Sequence, residues 1–551
     1  MSATLRTTAS RLFRLLIRKE TLLLASLAAV LAGPFLLQAR DTTAPVRYDR
    51  RLVILSPHTE RIRKEIGRAF ALAWKRRTGE TLYLDWRTPG GSSEIALFLK
   101  SEFASAFQYH WEHVLGKIWG PAVADAYANP KAESGTVARR SFLESSVGIG
   151  VDLLFGGGSY DFQQFADGGY LVAGDPGHQT GPASLIRRHP DWFNDAVIPQ
   201  RVGGEPFRDR EARWVGVVLA SFGIVYNRDV LQRLGVRPEL SGWQDLANPN
   251  LIRQIALSDP TKSGSVAKAF ELIVQEQMHR AVAQSTASVP QGVREGWEEG
   301  LRLIRRIAGN ARYFTDSASK IPLEVSRGDA GAGMAIDAYG RATAEFVRRP
   351  DGTSRVGFVA PRSGTSLSVD AIGLLRGAPD PELATAFIEF VLSMPGQQLW
   401  AYRAGVPGGP VDHALRRLPV RRDFYTEERR SFMADPDEQP YADAGRLDYR
   451  PDWTGPLFGV LRFLIRTMCV DTHEELKDAW QTLKRREFPP DALAVFDDVS
   501  GVTYDVARDQ IAAVLRAKDR LQEVRLAREL SDRFRQQYRS AARIAEQGRL
   551  P

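Results

Sequence analysis

Cysteine is nearly missing from this chain: Cys469 is the only one among 551 residues. A lone thiol excludes an intrachain disulfide, a thiolate zinc cage and an all-cysteine iron–sulfur cluster. Histidine is sparse too, eight in all. His110 and His113 stand three apart, but no third ligand follows at a recognisable metal spacing, so the pair reads as surface. The short motifs of common enzymes are absent. There is no Gly-x-Ser-x-Gly elbow and no His-Glu-x-x-His; Lys262 follows no phosphate-loop glycine run, and Gly148-x-Gly150 does not continue to a third glycine. No catalytic residue is therefore predicted. Fixed-period repeats and low-complexity tracts are lacking, which excludes solenoids and propellers. Neither sign of charge dominates: 74 Lys and Arg against 66 Asp and Glu give +8. The basic residues are interspersed with acids, which predicts a solvated surface and no nucleic-acid partner. With 43% hydrophobic and 25% charged residues, the composition is that of a water-soluble globular protein.

Long apolar runs are confined to the start. Arg6, Arg11, Arg14, Arg18 and Lys19 lie in a basic segment, 1–20, ahead of an apolar run from Thr21 to Leu37. That order threads a chain out of the cytoplasm, so 21–37 is predicted to be a signal-anchor or signal-peptide helix and the remainder to be periplasmic. At 1.5 Å per residue the run reaches about 25 Å. Leu37-Gln38-Ala39 lacks the small residue that signal peptidase wants two positions earlier, which favours an uncleaved anchor in the cytoplasmic membrane. Residues 38–50 read as a tether.

From Arg51 onward, short β-rich runs alternate with longer helical stretches, the pattern of a parallel or mixed α/β sheet. Candidate strands are Leu52–Leu55, Thr81–Asp85, Asp152–Phe155, Trp214–Tyr226, Gln254–Leu257, Ala332–Ile336, Val356–Val359 and Val369–Leu375. Arg61–Arg77 carries Ile62, Ile66, Ala69, Phe70 and Ala73 on one helical face, with Gly79 as a stop. Residues 102–141 read as a helical insertion. After Pro410 strands thin out. Residues 419–451 read as an extended surface connection, and the last helix carries an apolar stripe, Leu521, Val524, Ala527, Leu530, Phe534, Tyr538 and Ala541.

Three segments repeat one arrangement, a strand running into a Gly/Ser/Thr turn from which a helix begins. They are Asp85–Ser93, with Arg87, Thr88, Gly91 and Ser92; Leu154–Asp161, with Gly157, Gly158, Ser159 and Tyr160; and Ser258–Ser265, with Thr261 and Ser263. Glycine lets backbone approach a ligand, and the first-turn N–H groups of a helix favour an anion or a polar oxygen. Each turn taken alone also reads as an ordinary helix cap. Together they point to one site, because ligands of α/β sheets sit beyond the carboxyl ends of the strands. A fourth cluster joins them: Thr315-Asp316-Ser317, and Asp337 and Tyr339 after a short buried strand. Asp337 either caps the next helix or faces the ligand, and Tyr339 either fills an interface or does the same.

Read in order, Val151–Asp161, Phe222–Asp229, Trp243-x-x-Leu246, Asn248-Pro249, Ser258–Ser265, Gly328–Asp337 and Ala386–Gln397 resemble the extracellular solute-binding proteins of ABC-type importers, in the ferric-iron-type group. The resemblance covers about 51–425. It implies an α/β, two-lobed periplasmic-binding-protein fold of the clamshell type, with mixed sheets and two crossover strands. The lobes are then 51–225 with the return segment 366–425, and 226–365, and 426–551 becomes a helical C-terminal extension packing on lobe 1. It further implies a monomer that hands a small solute to an ABC permease and its ATPase, with no cofactor required. Ferric sites of the family use adjacent tyrosines. Here Ala338-Tyr339 supplies one, so Tyr339 is the single candidate metal ligand, and an anionic or polyoxygenated solute or a metal chelate is an equal alternative to iron. Two other readings remain open: a membrane-anchored ligand sensor, and a hydrolase using Asp161 or Asp337 as a base in the same cleft.

Overall fold

The computed structural model describes residues 47–129, 137–175, 177, 179–284, 288–443, 447–517 and 519–547. The basic segment, the apolar run 21–37 and most of the tether lie outside the described residues. Residues 51–551 group as one compact unit, and among the described residues no helix is long and apolar enough to cross a membrane.

The first lobe is built on strand β1 (Arg50–Leu55), helix α1 (Glu60–Thr78), β2 (Leu82–Arg87), α2 (Ser92–Tyr109), β3 (Leu153–Gly158), α3 (Ser159–Asp167) and β4 (Val215–Ala220). Ile62, Ile66, Phe70 and Trp74 recur at four-residue steps and bury one face of α1, each contributing roughly 1.5–3 kcal/mol where fully covered. Gly79 ends that helix in the left-handed region, its N–H donating to the Lys75 carbonyl at 2.8 Å. Every residue of β4 is buried, the mark of a strand covered on both faces.

The second lobe follows with β5 (Phe222–Asn227), β6 (Ile255–Ser258), α4 (Gly264–Gln284), α5 (Val289–Gly309), β7 (Ala311–Thr315), α6 (Lys320–Arg327), β8 (Ala332–Ile336), α7 (Asp337–Phe346) and β9 (Val356–Val359). Strand β10 (Ser368–Leu375) then returns to the first lobe. The first sheet runs 418–419, β4, β10, β3, β1, β2, with Leu171–Val172 also on β10; the second runs β7, β6, β8, β5, β9. Both are mixed: β1 is parallel to β3 while β10 is antiparallel to β3 and β4, and β6 is parallel to β7 and β8 while β5 is antiparallel to β8.

The expected single strand Trp214–Tyr226 is two strands, β4 and β5, which part at Ser221 to enter different sheets. The lobe boundary therefore falls at 221, not 225. Residues 360–367 make the second crossing. Two separate apolar cores agree with this division, one drawing on 52–219 and 367–433, the other on 222–356 and 447–545.

That second core corrects the placement of the C-terminal extension, expected on lobe 1. Helices α8 (Phe458–Ile465), α9 (His473–Arg485) and α10 (Arg520–Gln547) pack on lobe 2. The cause is α5, which presents Trp297, Leu301, Ile304 and Arg305 to them. The Trp297 indole donates to the Val502 carbonyl at 3.0 Å, and the Trp480 indole to Asn310 Oδ1 at 2.8 Å. Residues 419–451 are likewise more than a surface link, since Phe424 and Met433 belong to the first core and Leu447 and Tyr449 to the second. Only part of the apolar stripe of α10 packs: Leu530, Phe534, Tyr538 and Ala541 are buried, whereas Leu521 and Val524 are about half exposed.

Candidate functional site

A cleft of about 570 Å³ lies where the two lobes meet. Lobe 1 lines it with Pro57-His58-Thr59 after β1, Gly90–Ser92 and Glu94 at the start of α2, and Gly157–Asp161 at the β3–α3 turn. Lobe 2 adds Lys262–Ser265 at the start of α4, Asp316–Lys320 at the start of α6, and Ile336 and Tyr339 at the β8–α7 junction. The three Gly/Ser turns read from the sequence thus open on the same space as the fourth cluster. Helices α2, α3, α6 and α7 begin there with no side-chain hydrogen bond capping them, so their first-turn amides and dipoles favour negative charge or oxygen.

Of the predicted residues, Gly91, Ser92, Gly157, Gly158, Ser159, Tyr160, Ser263, Ser317 and Tyr339 line the cleft, and Arg87, Thr88, Thr261 and Asp337 do not. Arg87 is the last residue of β2, and its guanidinium folds back to Asp85 on the same strand face, Nε to Oδ1 at 3.0 Å and Nη2 to Oδ2 at 2.8 Å. The segment reaches the cleft only from Gly90, which leaves Thr88 exposed outside it. Thr261 is held in a tight turn, its N–H and Oγ1 donating to Asp259 Oδ1 at 2.8 and 2.6 Å. Asp337 is buried and paired with Arg341 at 2.8 Å, one turn along α7.

The floor carries groups that the sequence did not single out. Arg417 Nη2 donates to Asp370 Oδ2 at 2.6 Å, and His58 Nε2 stands 3.7 Å from that same oxygen. Burial opposes the ionised form of Asp370, but the Arg417 guanidinium and His58 outweigh it and hold the carboxyl below its usual range. Burial lowers the His58 pKa against the pull of Asp370, and among the described residues neither ring nitrogen has a hydrogen-bond partner. Burial raises the Tyr339 phenol, with Arg417 acting the other way. Burial and the charge of Asp161 push Tyr160 up to about 12. His58 follows β1 directly, the same strand-end position as the recognised turns, so topology could have found it. Arg417 comes from a loop with no pattern.

The fit to a bare metal ion is poor. Among the described residues no three His, Cys, Asp or Glu side chains converge as a metal site. Tyr339 is one phenol held neutral by burial, with the Arg417 cation close by.

The family of bacterial extracellular solute-binding proteins matches residues 193–424. An uncharacterized protein of Haemophilus influenzae is 21% identical over 231 residues, 42% of this chain and 59% of that protein. A putrescine/cadaverine-binding protein of Pseudomonas aeruginosa is 26% identical over 175 residues, 30% of this chain and 44% of that one. The chain spans about half the length of the curated relatives it matches. Among solved structures, iron-bound HitA from Pseudomonas aeruginosa is similar at 14% identity and a TM-score of 0.43, over 75% of this chain and 98% of that chain. The matched stretch from 193 to 424 holds both lobe crossings and all of the second sheet, and through it the chain is similar to the bacterial extracellular solute-binding proteins.

Proposed function

We propose that this protein is the solute-binding component of an ABC-type importer, taking up a small anionic or polyoxygenated solute between its lobes and passing it to a membrane permease and its ATPase. One observation carries the reading: uncapped helix starts from both lobes face one cleft with a buried arginine on its floor. A solute that touches both lobes binds the closed form better than the open one, and that difference is what shifts the hinge. The permease then reads the closed shape. The apolar run 21–37 behind its basic segment supports anchorage in the cytoplasmic membrane, with the lobes in the periplasm.

Four carboxylates line the cleft, Glu94, Asp161, Asp316 and Asp370; two are paired and burial raises Asp161 toward its neutral form, which favours anions over diamines. Asp370 is taken by Arg417 and Asp316 by Lys320 at 2.7 Å, while Lys262 is exposed at the lip. The neutral Tyr339 phenol beside a guanidinium favours an anionic iron chelate over bare ferric ion.

Thermal denaturation of the purified full chain with inorganic phosphate, 2-aminoethylphosphonate, citrate, ferric citrate, ferric chloride, glucose and putrescine tests this. An anionic member is expected to raise the melting point, its stabilisation growing with the logarithm of concentration and reaching about 2.7 kcal/mol at one hundred times its Kd. Arg417→Gln is expected to remove the effect. Stabilisation by putrescine or ferric chloride alone, by no member of the panel, or catalytic turnover of any member, overturns the proposal.

A further inference from the structure

The cleft has one wall that comes from the C-terminal extension. Phe458, the first residue of α8, lines it. Its ring lies against Tyr160 of lobe 1, centroids 4.3 Å apart and tilted by 45°. One turn further on, Arg462 Nε donates to the Pro260 carbonyl at 2.7 Å and Nη2 to the Thr261 carbonyl at 2.8 Å, in the turn that leads into α4. The same Nη2 reaches Ser93 Oγ on lobe 1 at 3.1 Å, and Ser93 Oγ donates to the Thr261 carbonyl at 3.1 Å. Residues 460, 461 and 463–465 bury the rest of α8 in the lobe 2 core, so this helix moves with lobe 2 while two of its side chains touch lobe 1. A second point of contact lies farther along the seam, where the Tyr449 N–H donates to the Gly203 carbonyl at 2.8 Å and Lys268 of α4 pairs with Glu205 at 2.9 Å.

We propose that the C-terminal extension is a clasp of the binding site: Arg462 and Phe458 hold lobe 2 against Ser93 and Tyr160 of lobe 1, and Phe458 gives the enclosed solute an apolar wall at that end. The solute then presents an uncharged side there and its anionic or oxygen-bearing side to the helix starts. This rests on the cleft being the solute site, but the clasp has a readout of its own. Arg462 is its positioning residue, and the Ser93 hydroxyl is the joint between the lobes.

The test is the distribution of lobe-to-lobe distances in the full chain, spin-labelled at Lys75→Cys on α1 and Gln232→Cys on lobe 2, both exposed. Burial pushes the Cys469 thiol up to about 12, which keeps it out of the labelling reaction. The parent is expected to give one short distance. Ser93→Ala, which leaves the bonds of Arg462 to Pro260 and Thr261 intact, and Arg462→Ala are each expected to add a longer population. Apparent affinity for whichever anion of the panel binds should fall about two- to tenfold in both, as the closed fraction falls. Unchanged distances in both variants overturn the clasp. So does opening in Arg462→Ala alone, which would mean that the arginine only props its own turn. If Arg462→Ala fails to fold, Ser93→Ala decides. If the parent binds no anion of the panel, the solute reading falls and the distance measurement still settles the clasp.

Discussion

The imidazole of His58 occupies the space that any side chain on Gly156 would need. A Cβ added to Gly156 would stand 2.6 Å from His58 Cε1 and 2.8 Å from each ring nitrogen. Gly156 also sits at φ +98°, in the region that favours glycine. Backbone strain and overpacking therefore add in Gly156→Ala, for an expected loss of about 2–5 kcal/mol in urea denaturation. The double variant Gly156→Ala with His58→Ala should recover the packing part and leave the strain. Equal losses in the single and double variants would show that the ring is not what excludes the methyl group.

Much of this arrangement was legible before any coordinates. Ala332–Ile336 and Val356–Val359 have the bounds expected from the sequence, because short apolar runs closed off by Gly331 and Asp337, and by Arg355 and Pro361, have few other uses in an α/β chain. Turns ahead of helices were visible for the same local reason. What failed is non-local. An unbroken β-rich run from 214 to 226 does not say that its halves belong to different sheets, and Ser221 carries no turn signal. The side on which α8 to α10 pack is set by α5, some 150 residues earlier, through contacts that no periodicity records. Arg417 and Phe458 reach the cleft by tertiary placement alone, and Arg87 was misread because the strand runs two residues past its predicted end and turns that side chain onto Asp85.

Helices α4 and α5 approach so closely that three glycines four residues apart, Gly292, Gly296 and Gly300, face backbone. A Cβ on Gly296 would lie 2.2 Å from the Met278 Cα, and on Gly292 2.7 Å from the Val282 Cα. Neither neighbour is a flexible side-chain end, so the helices must separate. Gly296→Ala is expected to cost more than about 3 kcal/mol. Gly79→Ala is the control, with nothing within 4 Å of its Cβ and only its φ of +81° against it, for about 1 kcal/mol. Similar midpoints for the two variants in urea would refute the close-packing argument.

Arg305 is fully buried between lobe 2 and the extension and is bonded to main-chain carbonyls. It donates to Phe496 O, and to Asp498 O at 3.1 Å. The rings of Phe496, Phe534 and Tyr538 stand 5.5–6.0 Å from its guanidinium carbon. Arg305→Met keeps much of the volume but removes the charged donor and leaves both carbonyls to the Gln537 amide, which reaches them at 3.2 and 2.8 Å, for an expected cost of about 1–3 kcal/mol in all. Hydrogen exchange should then speed up in α10 before it changes in the first lobe, as the extension loosens as a unit. Uniform acceleration across both lobes would mean that the extension has no separate docking step.

His473, at the start of α9, packs its ring at 5.0 Å against Phe314 of β7, and burial together with Lys477 lowers its pKa to about 4. An unfolded histidine titrates near 6.5. Between those values the unfolded chain holds more protons at this site than the folded one, so stability rises with pH there and is lost on acidification from about 6.5 toward 4. The contribution is at most about 3 kcal/mol, and less for the partial exposure of the ring. His58, also lowered by burial, acts in the same direction. Asp161 and Glu276, both raised by burial, act in the opposite one, so the informative quantity is the difference between variant and parent. Asp370, held low, contributes stability that is present above about 3.9 and fades only at lower pH. His473→Asn should flatten the dependence of urea midpoints on pH between 6.5 and 4, and His58→Ala should flatten it further in the double variant. A parent and a His473→Asn variant with parallel pH profiles would show that this ring titrates alike in the folded and unfolded chain and that the acid sensitivity lies elsewhere.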